Sequence, residues 1–353
     1  MTIDSPGFPA PPALVEHARR FHAEGATPVT PRVAATVLLL RPAGTDFEVY
    51  VIRRVAAMAF GGVYAFPGGG VDPSDSEAHL DWAGPGPAAW AERLGVTPDA
   101  AQAVVCAAAR EVFEEAGVLL AGPGGGPAVA GVGGGGAVGG AGAAGGAGAA
   151  GGAGVGGPVT GGTGGRASGG AGGVGGPVTG DVGGSVVGDV SGDDWETARQ
   201  DLEARRRGFA GLLAERQLTL RSDLLLPWSR WITPEFEPRR FDTYFFVALL
   251  PEGQRTRDVS GEADHTMWVR PADALARARA GELTMLPPTL VTLAEVAAAA
   301  ADGAAGAGAG VAAGDGARCI AAVARASAAR DAATPVTPRL HVPEDGTPYF
   351  TLA

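Results

Sequence analysis

The spacing of apolar and polar residues along the chain predicts short strands mixed with amphipathic helices. Apolar positions at helical spacing predict a first helix over residues 12–24. Two strongly apolar runs follow at 33–40 (VAATVLLL) and 47–53 (FEVYVIR), separated by the turn sequence RPAGTD. Such runs with a short polar turn between them are typical of strands that form a hairpin or lie side by side.

A longer helix with clear end signals is predicted between residues 97 and 117. Thr97 is suited to cap its N-terminus, and Pro98 suits its first position. Gly117 stands where a helix of this length would end in a left-handed residue. Few other segments of the chain carry both a start and a stop signal.

Further elements are predicted after a long glycine-rich stretch. One charged amphipathic helix is expected over 193–217, strands are expected at 231–233, 240–250 and 265–270, and helices are expected near 271–280 and 288–301. Because strands and helices do not alternate in a regular βαβ repeat, we predict an α+β variety of the α/β class. Its expected architecture is a mixed β-sheet sandwiched between α-helices.

Composition divides the chain into two kinds of sequence. Residues 121–192 contain 35 of the 59 glycines and no aromatic residue, so this segment has too little apolar surface to fold as a core. We therefore interpret it as a low-complexity insert in one domain spanning 31–300. Residues 1–30 are expected to be an N-terminal helix and linker, and 301–353 an alanine-rich tail that is helical or frayed.

Charge and cysteine content exclude several functional classes. The formal net charge is −11 and the pI about 5.0, which argues against binding nucleic acid or an anionic membrane by charge alone. Two cysteines provide neither a disulfide framework nor a zinc cluster. No signal peptide or membrane-spanning run is evident. We expect a soluble cytoplasmic protein that acts on a small molecule, and the sequence leaves its oligomeric state open.

Three glutamates crowd one face of the predicted helix 97–117. Glu111, Glu114 and Glu115 stand at positions i, i+3 and i+4 near its C-terminal end. Both their mutual repulsion and the helix dipole disfavour this arrangement. Oxygen-rich clusters of this kind bind hard divalent cations such as Mg²⁺ or Mn²⁺. The alternative is an acidic helix end exposed to solvent.

The segment around these glutamates resembles the second half of the Nudix box, REUxEExGU, where U is aliphatic. Arg110, Glu111, Glu114, Glu115 and Gly117 match its fixed positions. The first half, Gly-x5-Glu, is similar to Gly69 followed by Asp75, an acid shorter by one methylene. In an ordinary box seven residues precede the arginine after this acid, so about 27 residues are inserted here.

An interrupted box resembles one branch of the Nudix hydrolases, that of the mammalian peroxisomal coenzyme A diphosphatase. Two further segments, RRVAAMAFGGVYAFPGGGVDPSD and LLPWSRWITPEFEPRRFDTYFFVALL, are similar to sequences of that branch. Part of a coenzyme A signature is present, in Arg53, Gly62 and residues 66–69. Arg54 stands where this signature has serine, and Met58 where it has a second arginine.

The resemblance implies a metal-dependent hydrolase that cleaves the diphosphate of a nucleoside diphosphate derivative. Glu114 and Glu115 would be the main metal ligands, helped by Glu111 and the carbonyl of Gly68. Glu111 could instead activate water, and Arg110 would orient a glutamate.

Other site residues implied by the resemblance lie outside this helix. Glu262 is our candidate for a downstream catalytic acid, with Asp264 as second choice, although Glu262 could also be an ordinary solvated loop acid. Asp75 is expected to support the box from outside the metal shell, and Gly69 and Gly117 to shape it. Candidates for contacts with the substrate are Arg53, Arg239 and Arg240, and the last two could equally anchor a strand edge.

Three functions remain open from the sequence. The first is hydrolysis of coenzyme A or its thioesters, and the second is hydrolysis of ADP-ribose, a dinucleotide such as NADH, or a related nucleotide. A third is a Nudix fold that binds a ligand or protein without turnover. The intact REUxEExGU segment argues against the third.

Overall fold

The computed structural model describes residues 8–10, 12–56, 61–76, 80–123, 185–305, 315–343 and 346–352. Within them the helices are α1 (Pro12–Ala23), α2 (Pro87–Leu94), α3 (Pro98–Ala116), α4 (Asp193–Glu203), α5 (Phe209–Glu215), α6 (Pro271–Arg279), α7 (Pro287–Ala305) and α8 (Asp315–Ala328). The strands are β1 (Phe8–Pro9), β2 (Arg32–Ala43), β3 (Asp46–Arg54), β4 (Tyr64–Ala65), β5 (Gly68–Gly70), β6 (Trp82–Ala83), β7 (Ala121–Pro123), β8 (Leu218–Arg221), β9 (Leu226–Ile232), β10 (Phe241–Leu249), β11 (Ala263–Val269), β12 (Pro335–Val336), β13 (Pro338–His341) and β14 (Tyr349–Leu352). Short 3-10 turns occupy Pro73–Ser76 and Ser222–Leu224.

The two apolar runs predicted as strands lie at the centre of a mixed sheet. Its strand order is β11-β3-β2-β10-β9-β12, and β4 and β5 pair with β3 and β2. β2 runs parallel to β10 and antiparallel to β3, so the predicted neighbouring strands are confirmed.

Helices cover both faces of this sheet, as predicted. Val37 and Leu39 of β2 belong to a core shared with α2, α3, α4 and α5, whereas Leu38 and Leu40 belong to a core shared with α6, α7 and α8. Because successive strand residues point to opposite faces, a strand buried on both sides needs an unbroken apolar run. The fold class predicted from the sequence is therefore confirmed.

The predicted single helix over 193–217 is wrong, because two helices occupy this segment. After α4, Arg205 adopts a left-handed backbone conformation with φ of 55°. A right-handed helix cannot continue through such a residue. Gly208 then begins α5 as an extended N-cap residue.

The C-terminal region is more integrated than the expected tail over 301–353. Cys319 and Val323 of α8 are buried in the same core as β2. β14 pairs with both β1 and β13, and Phe350 packs near α1 with Phe236. The alanine content of this region reflects close helix packing as well as simple composition, because small side chains let α7 and α8 approach each other.

Most of the predicted insert over 121–192 lies outside the described residues. At its ends, Ala121 belongs to β7, and its carbonyl accepts a hydrogen bond from the Val187 backbone N–H at 3.0 Å. Val190 is buried. None of the described helices is both long and apolar enough to cross a membrane.

Candidate active site

Glu111, Glu114 and Glu115 lie in the last two turns of α3, and we call these three residues the acidic wall. The predicted helix ends are confirmed: the Thr97 hydroxyl accepts a hydrogen bond from the Ala100 N–H, and Gly117 ends the helix with φ of 65°. Glu111 and Glu115 are buried. The alternative of a solvent-exposed acidic helix end is therefore wrong for two of the three carboxylates.

Arg110 joins the two halves of the interrupted box. Its guanidinium donates to both carboxylate oxygens of Asp75 at 3.0 and 2.9 Å, across 35 positions of sequence. It also donates to Glu111 at 2.8 Å, to Glu114 at 3.2 Å and to the carbonyl of Gly70 at 2.9 Å. The contact between the two halves is therefore present despite the inserted residues, which include β6 and α2.

The glycine turn approaches the acidic wall so closely that side chains are excluded. The Gly68 N–H donates to Glu115 Oε2 at 2.7 Å. A Cβ at Gly69 would lie 2.5 Å from Glu111 Oε1, and one at Gly68 would lie 2.5 Å from the Ala35 carbonyl. At Gly68 the obstacle is backbone, so only glycine fits there, whereas a side chain at Gly69 would have to displace the Glu111 carboxylate.

Burial shifts the ionisation of the acidic wall. It raises the pKa of Glu115 well above its usual range, and the charge of Glu111 raises it further. Burial likewise raises the pKa values of Glu111 and Glu114, although the charge of Arg110 opposes it. Burial alone would lower the pKa of Arg110, but its bonds to Asp75 and the surrounding glutamates raise it. Burial therefore favours the protonated, neutral form of these carboxyl groups, and Arg110 opposes this at Glu111 and Glu114 only in part.

A large cleft opens in front of the acidic wall. Its volume is about 1120 Å³, and its lining includes the whole acidic wall, the glycine turn, Tyr64, Trp231 and Glu262. The Glu262 carboxylate is half-exposed and lies 3.8 Å from Arg54. The predicted catalytic acid thus shares a cleft with the glutamates of α3. Asp264 instead pairs at 2.6 Å with Arg53 on the exposed surface and is not part of this lining.

The arginines predicted to contact substrate lie elsewhere. Arg53 and the exposed Arg239 do not line the cleft, and Arg240 donates to the carbonyls of Thr233 and Val29, which anchors a loop. The arginines that line it are Arg54, Arg110, Arg205, Arg206 and Arg207. Met58, which departs from the coenzyme A signature, lies outside the described residues.

The alternation of side chains along β3 explains why Arg54, and not the predicted Arg53, lines the cleft. Neighbouring residues on β3 point to opposite sides, so only one of them can face the cleft. The sequence showed two adjacent arginines but not which side of β3 the cleft would occupy.

Arg199 is a site residue that sequence reasoning missed. It is almost fully buried, and its Nη1 donates to the backbone carbonyl of Glu114 at 2.8 Å. Glu196 and Glu203 pair with the same guanidinium. A cation at the C-terminal end of α3 is favourable for the helix dipole and holds the last turn in place. Arg199 lies on α4, more than 80 residues after Glu114, so no local sequence pattern could indicate its contact with the end of α3.

The donor atoms of the acidic wall suit a hard divalent cation. Glu115 Oε1 is buried and lacks a hydrogen-bond partner, a costly state for a carboxylate oxygen. In the part of the chain that the structure describes, no three His, Cys, Asp or Glu side chains converge closely enough to hold a metal ion as they stand. Such a cation would have to compete with Arg110 for oxygens of Glu111 and Glu114. Carboxylate oxygens of this kind are the ligands that Mg²⁺ or Mn²⁺ prefers. To bind the ion, Glu111 and Glu114 would have to exchange their hydrogen bonds from Arg110 for bonds to the metal.

Comparison of the sequence with known proteins finds two similarities. The family described as the NUDT19 Nudix domain matches residues 90–296. Putative nudix hydrolase 7 of Caenorhabditis elegans is 31% identical over 75 residues, which cover 21% of this chain and a quarter (25%) of the worm protein.

Two solved structures are also similar. A NUDIX hydrolase of Alicyclobacillus acidocaldarius is 25% identical with a TM-score of 0.47, covering 75% of this chain and 90% of that one. An Ap4A hydrolase of Caenorhabditis elegans is 12% identical with a TM-score of 0.31, covering 77% and 98%.

The family match spans more than half of the chain and includes all of α3. It confirms the superfamily and the branch that the interrupted box indicated. The chain belongs to the Nudix hydrolases, in the family of the NUDT19 Nudix domain.

Proposed function

We propose that this protein is a divalent-metal-dependent hydrolase that cleaves the diphosphate of a nucleoside diphosphate linked to another moiety. One observation carries the proposal: three carboxylates from a single helix end share a cleft of about 1120 Å³ with Glu262. A buried, unpaired carboxylate oxygen on that wall supports a role for a cation. The cleft is slightly larger than the usual range for small-molecule sites, about 300–1,000 Å³, and has room for an elongated substrate.

Each residue of the wall has a proposed task. Glu114 and Glu115 would hold Mg²⁺ or Mn²⁺, and Glu111 would be a third ligand or the base. When bound, the ion would neutralise charge developing on the diphosphate oxygens. Arg110 and Asp75 would fix the carboxylate directions, since a guanidinium with several partners has little rotational freedom.

Water supplies the nucleophile in this proposal. Its oxygen attacks one phosphorus, the bond from that phosphorus to the bridging oxygen breaks, and the bridging oxygen leaves with the other phosphate. Glu262 would accept the proton from the attacking water, or Glu111 would do so if it is not a metal ligand. For its part in this, the Glu262 carboxylate must turn from Arg54 toward the wall.

The substrate we favour is coenzyme A or an acyl-coenzyme A. The match to the NUDT19 Nudix domain supports this choice, as does the retained Phe-Pro-Gly-Gly at residues 66–69. Mass detection of products separates it from ADP-ribose or NADH hydrolysis, since release of 3′,5′-ADP identifies coenzyme A.

The decisive test is hydrolysis with Mg²⁺ or Mn²⁺ in Glu114→Gln. Removing a metal-binding carboxylate is expected to lower kcat by about 10³-fold or more. Glu282→Gln is the matched control, because this exposed glutamate pairs with Arg277 away from the cleft. Equal activity in Glu114→Gln and wild type would disprove the assignment.

The choice of base is tested separately. Glu262→Gln is expected to lower kcat by about 10²-fold. Asp264→Asn should have a much smaller effect, since Asp264 lies on the surface with Arg53. A larger loss of kcat in Asp264→Asn than in Glu262→Gln would assign the base to Asp264 instead.

A further inference from the structure

Three consecutive arginines line the cleft at the turn between α4 and α5. Arg205, Arg206 and Arg207, which we call the arginine rim, all contribute to its lining together with Gly208. In a chain with a net charge of −11, three adjacent cations on one substrate cleft are unexpected. The sequence pattern predicted one continuous helix over 193–217, in which three successive side chains would point in different directions.

The left-handed residue Arg205 creates the rim. Its φ of 55° ends α4 and turns the chain, so that three successive side chains meet one cavity. Among the described residues other than glycine, only Gln217 shares a positive φ. This conformation is unfavourable for a side chain with a Cβ, whereas glycine adopts it readily.

Each arginine of the rim pairs with an acidic residue, and the side chains of Arg205 and Arg206 are largely exposed. Arg205 is 80% exposed and lies 3.4 Å from Asp72. Arg206 is 59% exposed and lies 2.7 Å from Asp201, and Arg207 pairs with Glu215. A guanidinium has five N–H donors, so one carboxylate leaves several for an anion.

The rim is connected to the acidic wall through Asp72. The Asp72 backbone N–H donates to Asp75 Oδ2 at 2.8 Å, and Asp75 in turn holds Arg110. The contact between Arg205 and Asp72 therefore joins the rim to the glycine turn that carries the first half of the box. Glu203 also lines the cleft here, but Arg199 engages its carboxylate at 3.0 Å.

We infer that the arginine rim is a subsite for a phosphate monoester on the substrate, separate from the diphosphate that is cleaved. The inference rests on the proposed function and adds a specificity determinant to it. Arginine forks bind phosphate oxygens in pairs, and three of them in one turn match a dianionic group better than a single charge. The acidic wall would repel such a group unless cations accompany it, so the rim and the wall favour different parts of one substrate.

The test compares substrates that differ only in this phosphate. Coenzyme A with 3′-dephospho-coenzyme A, and NADPH with NADH, are hydrolysed by wild type and by Arg205→Gly. The glycine variant suits the left-handed backbone and removes only the side chain. Gln217→Gly is the matched control, since it makes the same change at the other left-handed position, outside the cleft.

Wild type and Gln217→Gly are expected to prefer the phosphate-bearing member of at least one pair by about tenfold in kcat/KM. Arg205→Gly and Arg206→Ala should lose most of that preference and keep their activity on the partner without the phosphate. Arg277→Ala, which removes a cation outside the cleft, should keep the preference. Absence of preference in wild type, or an unchanged preference in both rim variants, would overturn the inference.

Calorimetry separates failure of the subsite from failure of the proposed function. 3′,5′-ADP should bind wild type more tightly than 5′-AMP, and Arg205→Gly should lose this difference. If no diphosphate is hydrolysed but the difference is present and depends on Arg205, the proposed function fails and the subsite stands. If hydrolysis occurs and the difference is absent, the subsite alone fails.

Discussion

The acidic wall and the arginine rim border the same cleft but are built in opposite ways. On the wall, Glu111 and Glu115 are buried, and Arg110 and Asp75 fix their surroundings through a network of short hydrogen bonds. On the rim, Arg205 and Arg206 are largely exposed, each with a single acidic partner.

From this difference we expect the stability of the fold to depend on the wall and the substrate specificity to depend on the rim. Buried charges that lose a partner destabilise a fold strongly, whereas exposed ion pairs contribute little. The wall therefore ties its chemistry to folding, and the rim is free to change with the substrate. Substitutions on the two sides should separate these properties.

The largest effect on stability is expected at Asp75. Asp75→Asn leaves the Arg110 guanidinium buried without its bidentate partner, and unfolding free energy should fall by about 3 kcal/mol, since Glu111 and Glu114 still offset part of the charge. Urea denaturation measures this loss. Arg206→Ala on the rim is the comparison and should change stability by less than about 0.5 kcal/mol. Similar losses of unfolding free energy in both variants would show that the wall and the rim do not differ in their contribution to stability.

A smaller effect is expected for the arginine pair of β3. Arg54→Ala should lower kcat/KM by about tenfold or more, because Arg54 lines the cleft and would donate a charge-assisted hydrogen bond to the substrate. Such a bond contributes roughly 1.5–3 kcal/mol. Arg53→Ala should have a clearly weaker effect, because its side chain lies outside the cleft. The pair is well matched, since the same change is made at adjacent positions. A larger effect at Arg53 would restore the prediction made from the sequence.

The smallest predicted effect is a pH dependence of stability in metal-free protein. Burial raises the pKa of Glu115 above its unfolded value near 4.5, so the folded state binds more protons. Its contribution to stability therefore falls as pH rises from the unfolded pKa toward the folded one.

Glu115→Gln removes this contribution. With EDTA present, the variant should gain stability relative to wild type as pH rises above the unfolded value near 4.5, as measured by urea denaturation. Mn²⁺ should reduce the difference by stabilising wild type. A gap that shrinks with rising pH in EDTA would contradict the assigned direction.

The sequence predicted the parts of the fold whose signals are local. The apolar run in β2 and the capping residues Thr97 and Gly117 act on neighbouring atoms, so they could be read directly. The break at Arg205 could not, because the residue is an ordinary helix former and its left-handed conformation is set by the packing of α4 and α5 on the sheet. The packing of alanine-rich α8 into the core could not be predicted for a similar reason, since small residues contribute to a core only where neighbouring elements cover them.

The candidate site shows the same division. Residues Glu111, Glu114 and Glu115 were placed on one face by helical spacing alone, and that prediction needed no tertiary information. The contact of Asp75 with Arg110 across 35 positions, the burial of two wall carboxylates, and the choice of Arg54 over Arg53 depend on how sheet and helices pack.

By itself, then, the sequence determined the helix that carries the carboxylates, the strands of the central sheet and the family to which they belong. The helix and the strands follow from periodicity and capping, which act within a few residues, and the family follows from the resemblance of residues 110–118 to the Nudix box. Only the tertiary structure decided which arginines meet the cleft, because that depends on which side of a strand or turn faces the cavity. It also decided how strongly the glutamates are buried, since the neighbours that exclude water from them come from the glycine turn and from helices distant in sequence.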